Sequence, residues 1–512
     1  MTALVGASAL VATAGCGARV PPYLGASVAA GGGGGGGPVT SVVGGASGQY
    51  VGGSGGSAGS GGSSGSAGSG GTAGQAGSAG SAGSSGGGGG GAPGSSSGAT
   101  PAAVQALSVG NFSYNPQQQA SYCTGTGGNT SSAPGVTPTS ITVGNVSGMS
   151  GPVSDSFTQG AQAVQALFDA INHYGGICGR KLNVDVEDDG QNSNTNNQDT
   201  QYLIPKVLAF VGSLSDADNG GVQAMVSAGV PDMGPAINTN RSNSSVYWSA
   251  TGGSVMVQGS SAYIYNTDIN GEKQYGKLPS KLAVLSYNIP ISAQAAQEFA
   301  SAFQQAGSQI CYTNYSISPA PGSLTPEVLA MQQHGCNGVF STMDVVGNAD
   351  LLKSMSQQNY HAEPIFTYES YTPAQISLAG SQAAQGIQVQ LSSLPLSSNN
   401  PAIQEYQSQL ATYQPGQAPT EFGLEAWADA EMFVYALLKA GRNPTRQSLV
   451  GVLQGITNWT TEGAFGPHTP AKRDPPSCGV GVTVQGNNFV QNWPPGGALY
   501  CNGQLVNVGS AG

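Results

Sequence analysis

The chain has 512 residues, enough for two lobes with separate cores, and 82 of them are glycine. Only 8% are charged, with 14 Lys and Arg against 25 Asp and Glu, for a formal net charge of −11. That balance excludes broad nucleic-acid binding and leaves no polybasic patch for anionic lipid.

At the N-terminus, "ALVGASALVATAG" runs apolar or small up to Cys16, as the apolar and cleavage regions of an export signal do. Thr13-Ala14-Gly15-Cys16 resembles a bacterial lipoprotein box, which predicts a signal peptide over 1–15 and lipidation of Cys16. No Lys or Arg precedes the apolar run, and Thr13 stands where that box usually has Leu. The run is also shorter than the roughly twenty residues a membrane span needs. Residues 16–110 are expected to be a lipid-anchored N-terminus and linker: from Gly25 to about Thr100 the composition collapses to Gly, Ser and Ala, which cannot bury enough apolar surface to offset ordering entropy. We read it as a flexible linker spanning roughly 50 Å. "GGSGG" at 52–56 matches a hydrolase pattern through composition alone.

Beyond the linker, helical and strand patterns alternate. "SITVGNVSG" alternates as a strand, and Phe157, Ala161, Val164, Phe168 and Ile171 then follow helical spacing to a stop at Gly175-Gly176. "KLNVDVEDD" alternates again, and "VLAFVGS" (207–213) is a short apolar run typical of a buried strand. "VQAMVSAGV" reads as helix, "PDMGPA" as strand and turn, and "LAVLSYN" as a buried strand. There follow a helix over 293–306, the strand "QICYTNYSI", a helix over 326–334, "GVFST", a helix over 349–358 and "PIFTY". Such alternation argues for parallel sheets covered on both faces. No G-x-G-x-x-G opens a helix after a strand and no P-loop occurs, so neither common nucleotide site is supported.

Several stretches, in order and at matching spacings, resemble the type I periplasmic binding proteins of branched-chain amino acid and amide ABC importers. They are "GVTPTSITVG", "GMSGP", "INHYGGICGRKLNVDVEDDGQN", "FVGSLS", "AGVPDMGPA", "LAVLSYN" and "GVFSTMD", within residues 135–470. The resemblance implies an α/β fold of two doubly wound, Rossmann-like lobes joined by three hinge crossovers, with ligand between them. It divides the chain into lobe one (111–250 and 392–455), lobe two (251–391 and 456–475) and a C-terminal β-hairpin extension (476–512). It implies a monomeric, lipid-anchored extracytoplasmic receptor that hands a small polar ligand to the permease subunits of an ABC importer, with no cofactor, metal or catalysis. A sensor of the same fold and a non-transport envelope protein are the alternatives.

Carried over by position, the resemblance places Ser150, Ser156, Ser213, Ser215, Asp216, Ala236, Asn238 and Phe422 on the lobe-one side of the cleft. Asn288, Ile291, Asp344 and Glu369 come from lobe two, with Glu369 at the acidic place that holds an amino-acid ammonium. The loop "GSLSDADNGG" is one residue shorter than in amino-acid binders. Either Ser215 or Asp216 then falls where a ligand carboxylate is held. An Asp there would repel that group, so a cationic ligand, an amide or a polyol is compatible as well.

Apart from Cys16 there are six cysteines, which permit fifteen pairings. An even number in an exported chain favours disulfides, and we expect sequential ones, Cys123–Cys178, Cys311–Cys336 and Cys478–Cys501, each within one lobe or the extension. No C-x-x-C occurs, and four scattered His make a zinc cluster unsupported. Glu187-Asp188-Asp189 is expected to be a solvated strand-end turn. His361 and His468 are read as surface residues, Asp429 and Glu431 as the outer face of a helix over 426–440. Tyr287, Tyr368 and Tyr371 are placed either on the ligand or in the packing of lobe two.

Overall fold

The computed structural model describes residues 107–108, 112–123 and 127–510. The expected signal peptide, Cys16 and nearly all of the linker lie outside the described residues.

Five parallel strands form the first sheet: β1 (Ser140–Ser147), β2 (Lys181–Asp188), β3 (Phe210–Val211), β4 (Asp232–Met233) and β5 (Tyr247–Trp248). Their order is β2-β1-β3-β4-β5. The apolar run at 207–213 pairs only over Phe210–Val211; the rest is buried loop. Helix Gln159–His173 covers this sheet with the expected stripe, Ala161, Val164, Leu167, Phe168 and Ile171 all being buried. It ends where Gly175 and Gly176 take positive φ. A Cβ on Gly176 would lie 1.9 Å from the Arg180 carbonyl oxygen, so the turn needs glycine.

The helix's other neighbour is Glu421–Ala440, buried on every face from Glu421 to Leu438, with Phe168 and Phe433 ring centroids 6.0 Å apart. Asp429 and Glu431, expected outside, are therefore buried at 0% and 2% exposure. An apolar stripe cannot be drawn on a helix that the protein surrounds, so the sequence offered no outer face to assign. Asp429 is accommodated because its Oδ1 accepts the Ala250 N–H at 2.6 Å.

The second sheet has seven strands: β6 (Lys281–Tyr287), β7 (Gln309–Ile317), β8 (Gly338–Ser341), β9 (Glu363–Phe366), β10 (Gln388–Leu391), β11 (Val480–Gln485) and β12 (Asn488–Trp493). The order is β7-β6-β8-β9-β10-β11-β12, parallel up to β10 and antiparallel for the last two. Alternate residues serve opposite faces. Leu282, Val284, Phe340 and Ile365 join Phe303 and Ala300 of helix Pro290–Ala306 on one side. Ala283, Leu285, Val339, Phe366 and Val389 build the core on the other. Each buried Val, Leu, Ile or Phe among them contributes about 1.5–3 kcal/mol.

Two segment assignments are corrected. The hairpin 480–493 is no appendage, because β11 pairs with β10 and completes the lobe-two sheet. Strand Leu505–Ser510 likewise pairs with Ser261–Tyr265. Residues 456–465, expected in lobe two, place Ile456, Trp459 and Phe465 in the first lobe's core. Alternation marks a strand but does not name its neighbour, which is why the pattern misled. Cys123–Cys178, Cys311–Cys336 and Cys478–Cys501 are bonded. His468 is buried at 7% exposure, paired through its backbone with Trp459, and burial lowers its imidazole to about 4.

Candidate ligand-binding cleft

Both sheets share one strand order over their first five parallel strands, in which the second strand lies outside the first and the third on its other side. Ligands of such sheets sit beyond the carboxyl ends of the strands flanking the first-to-third junction. In lobe one those ends feed the loops after β1 and β3; in lobe two they feed the loops after β6 and β8. The four loops face each other across a cleft with a cavity volume of about 210 Å³. Three crossovers flank it, at 249–255, 392–400 and 466–478, where the chain leaves one core for the other.

Of the residues expected in the cleft, Ser156, Asp216, Ala236, Ile291, Asp344, Glu369 and Phe422 line it. Five do not, and each has a local reason. Ser150 is exposed, its N–H bonded to Asp188 Oδ1 at 3.0 Å. Ser213 turns inward, its Oγ accepting the Val146 N–H at 3.1 Å. Ser215 is buried at 0% exposure and its Oγ accepts the Ala217 N–H at 3.0 Å, so Asp216 is the member of that pair facing the cleft. Asn238 braces the same loop, donating to the Asp216 carbonyl at 2.8 Å and to Asp218 Oδ1 at 2.7 Å. Asn288 is exposed at the end of β6.

Beneath the Asp216 loop lies a buried ion cluster. Arg241 donates to both oxygens of Asp232 at 2.8 Å, to Asp218 Oδ2 at 3.2 Å and to the Ser213 and Pro235 carbonyls at 3.0 and 3.1 Å. Asp218 in turn accepts the N–H groups of Ile237 at 2.8 Å and Asn238 at 3.0 Å. A glycine at 212 lets β3 turn into this loop: its φ is +67°, and a Cβ there would lie 2.3 Å from Val164 Cγ2. The expected solvated turn is only partly so. Asp188 is exposed, whereas Asp189 is buried and accepts from Asn196 at 2.9 Å.

In lobe two the Tyr287 hydroxyl donates to Asp344 Oδ1 at 2.5 Å, and the same oxygen accepts the Gly347 N–H at 3.0 Å. Tyr287 and Tyr368 line the cleft, while Tyr371 packs edge-on against Phe489 and accepts the Leu396 N–H. Position-by-position reading missed Asp268, Glu298, Gln390, Ser392 and Glu425, which also line the cleft. Ser392 comes from a crossover, Glu425 from helix 421–440 and Gln390 from β10, and no local motif marks them. Glu425 and its neighbour Glu421 are pushed up to about 8, chiefly by burial. Burial also raises Glu369, and holds Asp216 at about 7 with help from Asp189 and Asp218. Among the described residues no group of His, Cys, Asp and Glu has the arrangement of a metal site. No helix there is long and apolar enough to cross a membrane.

Two doubly wound lobes with facing switch points and three crossovers define the type I periplasmic binding protein fold. The profile of the periplasmic binding protein family matches residues 140–485, and the chain belongs to that family. Among solved structures it resembles a fatty acid ABC transporter substrate-binding protein from Thermomonospora curvata, at 20% identity and a TM-score of 0.57, covering 70% of this chain and 93% of that one. A branched-chain amino acid ABC transporter protein from Thermus thermophilus with bound valine is similar at 17% identity and a TM-score of 0.57, over 69% and 95% of the two chains. The isoleucine complex of LivJ from Streptococcus pneumoniae matches at 14% identity and 0.56, over 72% and 99%. No curated protein matches the chain.

Proposed function

We propose that the protein is an extracytoplasmic receptor, tethered by lipid on Cys16, that captures a small polar ligand between its lobes and delivers it to an ABC importer permease. The observation carrying this reading is the convergence of both switch points on one cleft bounded by crossovers. Ligand that prefers the closed arrangement stabilises it by the difference in affinity between the two arrangements. At a hundredfold excess over Kd the folded protein gains about 2.7 kcal/mol, readable as a shift in Tm across a metabolite screen. Glu369→Ala is expected to abolish that shift while leaving the ligand-free Tm nearly unchanged; a variant that keeps the full shift would remove Glu369 from the site. If no metabolite shifts Tm, the receptor reading fails.

The tether is tested separately. Cys16→Ser is expected to move the protein from the detergent phase to the aqueous phase, or to leave it unprocessed. Unchanged partition in the variant would rule out lipidation at that thiol.

A further inference from the structure

Six carboxyl side chains line the cleft, Asp216, Asp268, Glu298, Asp344, Glu369 and Glu425, and no Lys, Arg or His lines it among the described residues. Arg241, the cation beneath the Asp216 loop, is fully engaged by Asp218 and Asp232. The acidic groups also feel one another. Asp344 disfavours ionisation of Glu369, Glu369 and Glu421 do so for Glu425, and Asp268 for Glu421.

A second, independent observation concerns donors for an anion. At the carboxyl-end loops of lobe one, the N–H groups of Ile237 and Asn238 are already held by the Asp218 carboxylate, and that of Ala217 by Ser215 Oγ. The Leu214 N–H goes to Ser147 Oγ. The protein's own carboxylate thus occupies donors that a ligand carboxylate would need. Meanwhile Gln390, 3% exposed and lining the cleft, has neither its amide oxygen nor its amide nitrogen hydrogen-bonded among the described residues. The same holds for Asp216 Oδ1 and for Ser156 Oγ. The remaining wall sets apolar side chains, among them Val153, Phe157, Ile289 and Phe422, beside uncharged hydroxyl groups such as Thr342 and Thr367.

We propose that the ligand is an organic cation without a free carboxylate, an amine or guanidinium on a short apolar body, met by Glu369 and Asp344 from lobe two and by Asp216 from lobe one. This rests on the receptor reading and narrows it to a chemical class. The negative end of a zwitterion or a fatty acid would be repelled by every one of the six acids that ionises, so it could be held only against their protonated forms. A cation supplies the counter-charge that lets these acids ionise, which no Lys, Arg or His of the lining does.

The pH dependence has a defined sign. Burial, with Asp189 and Asp218 beside Asp216, Glu272 beside Asp268 and Glu421 beside Glu425, keeps these groups protonated up to about 7, 8 and 8 respectively. A bound cation draws out their ionised forms, so it releases protons and binds more tightly as pH rises from about 6 to about 8. An anion would show the opposite trend.

The test titrates the protein with 3-methylbutylamine, 1,4-diaminobutane and agmatine, and with leucine and octanoate, by calorimetry in buffers of different ionisation enthalpy. At least one of the three cations is expected to bind ten or more times more tightly than leucine and octanoate, with proton release. Asp216→Asn and Glu369→Gln should each weaken that cation about tenfold or more, and Asp216→Asn should improve leucine. Tighter binding of leucine or octanoate than of all three cations overturns the cation class and leaves the receptor reading standing. Failure of all three to bind at millimolar concentration, or binding without proton release and indifferent to both substitutions, also overturns it.

Discussion

Arg241→Ala is expected to lower stability by about 3–5 kcal/mol, because it leaves two buried carboxylates without their counter-charge. Asp232 and Asp218 are 0% and 3% exposed, and Arg241 supplies three of their hydrogen bonds. The loss should appear as a fall in Tm on the order of 10 °C. It should also carry a pH signature: burial already raises Asp218 against the pull of Arg241, so without the guanidinium lowering the pH toward 5 neutralises it and narrows the gap to the unmodified protein. A gap that stays constant from pH 5 to pH 8 would mean that lost packing, rather than stranded charge, causes the effect. Because Asp218 holds the Ile237 and Asn238 N–H groups, the variant should also lose definition in the loop that presents Asp216.

Stability of the ligand-free protein is expected to peak near pH 5 and to fall toward pH 8. Glu421 and Glu425 are held at about 8 in the folded chain, mainly by burial, and Asp268 at about 8 for the same reason. Unfolded, they ionise near pH 4–4.5. Between those limits the folded state holds more protons, so its advantage is full below about 4.5 and is lost as pH rises through about 8. Each retained proton is worth about 1.4 kcal/mol per pH unit. Burial prevails over the bonding here: Glu421 Oε1 accepts the Ser392 and Ser393 N–H groups at 2.6 and 3.0 Å, contacts that favour the ionised form. Glu421→Gln keeps the acceptor and removes the titration, so urea midpoints measured against pH should slope less. A midpoint that climbs from pH 5 to pH 8 would show these acids to be ionised in the folded protein.

How far the sequence could be read depended on whether a residue's environment is local. Strand Gln309–Ile317 and the helix ending at Gly175 were legible because alternation and helical spacing are properties of a segment by itself. The choice between Ser215 and Asp216 was not, since it turns on how a loop bends over Arg241, twenty-five residues further on in the Asp216 case. Gln390 and Glu425 carry no motif; they reach the cleft from β10 and from helix 421–440. Asp429 defeated the pattern for another reason, because a helix enclosed on all sides has no polar face to betray its orientation.

That enclosed helix has a consequence for motion. Its carboxyls grip the backbone of two crossovers, Asp429 at Ala250 and Glu421 at Ser392 and Ser393. With two of the three crossovers braced on one buried helix, a swing of lobe two is expected to turn about a line beside helix 421–440. Residues far from that line would then travel most, and Glu425, on the helix itself, least.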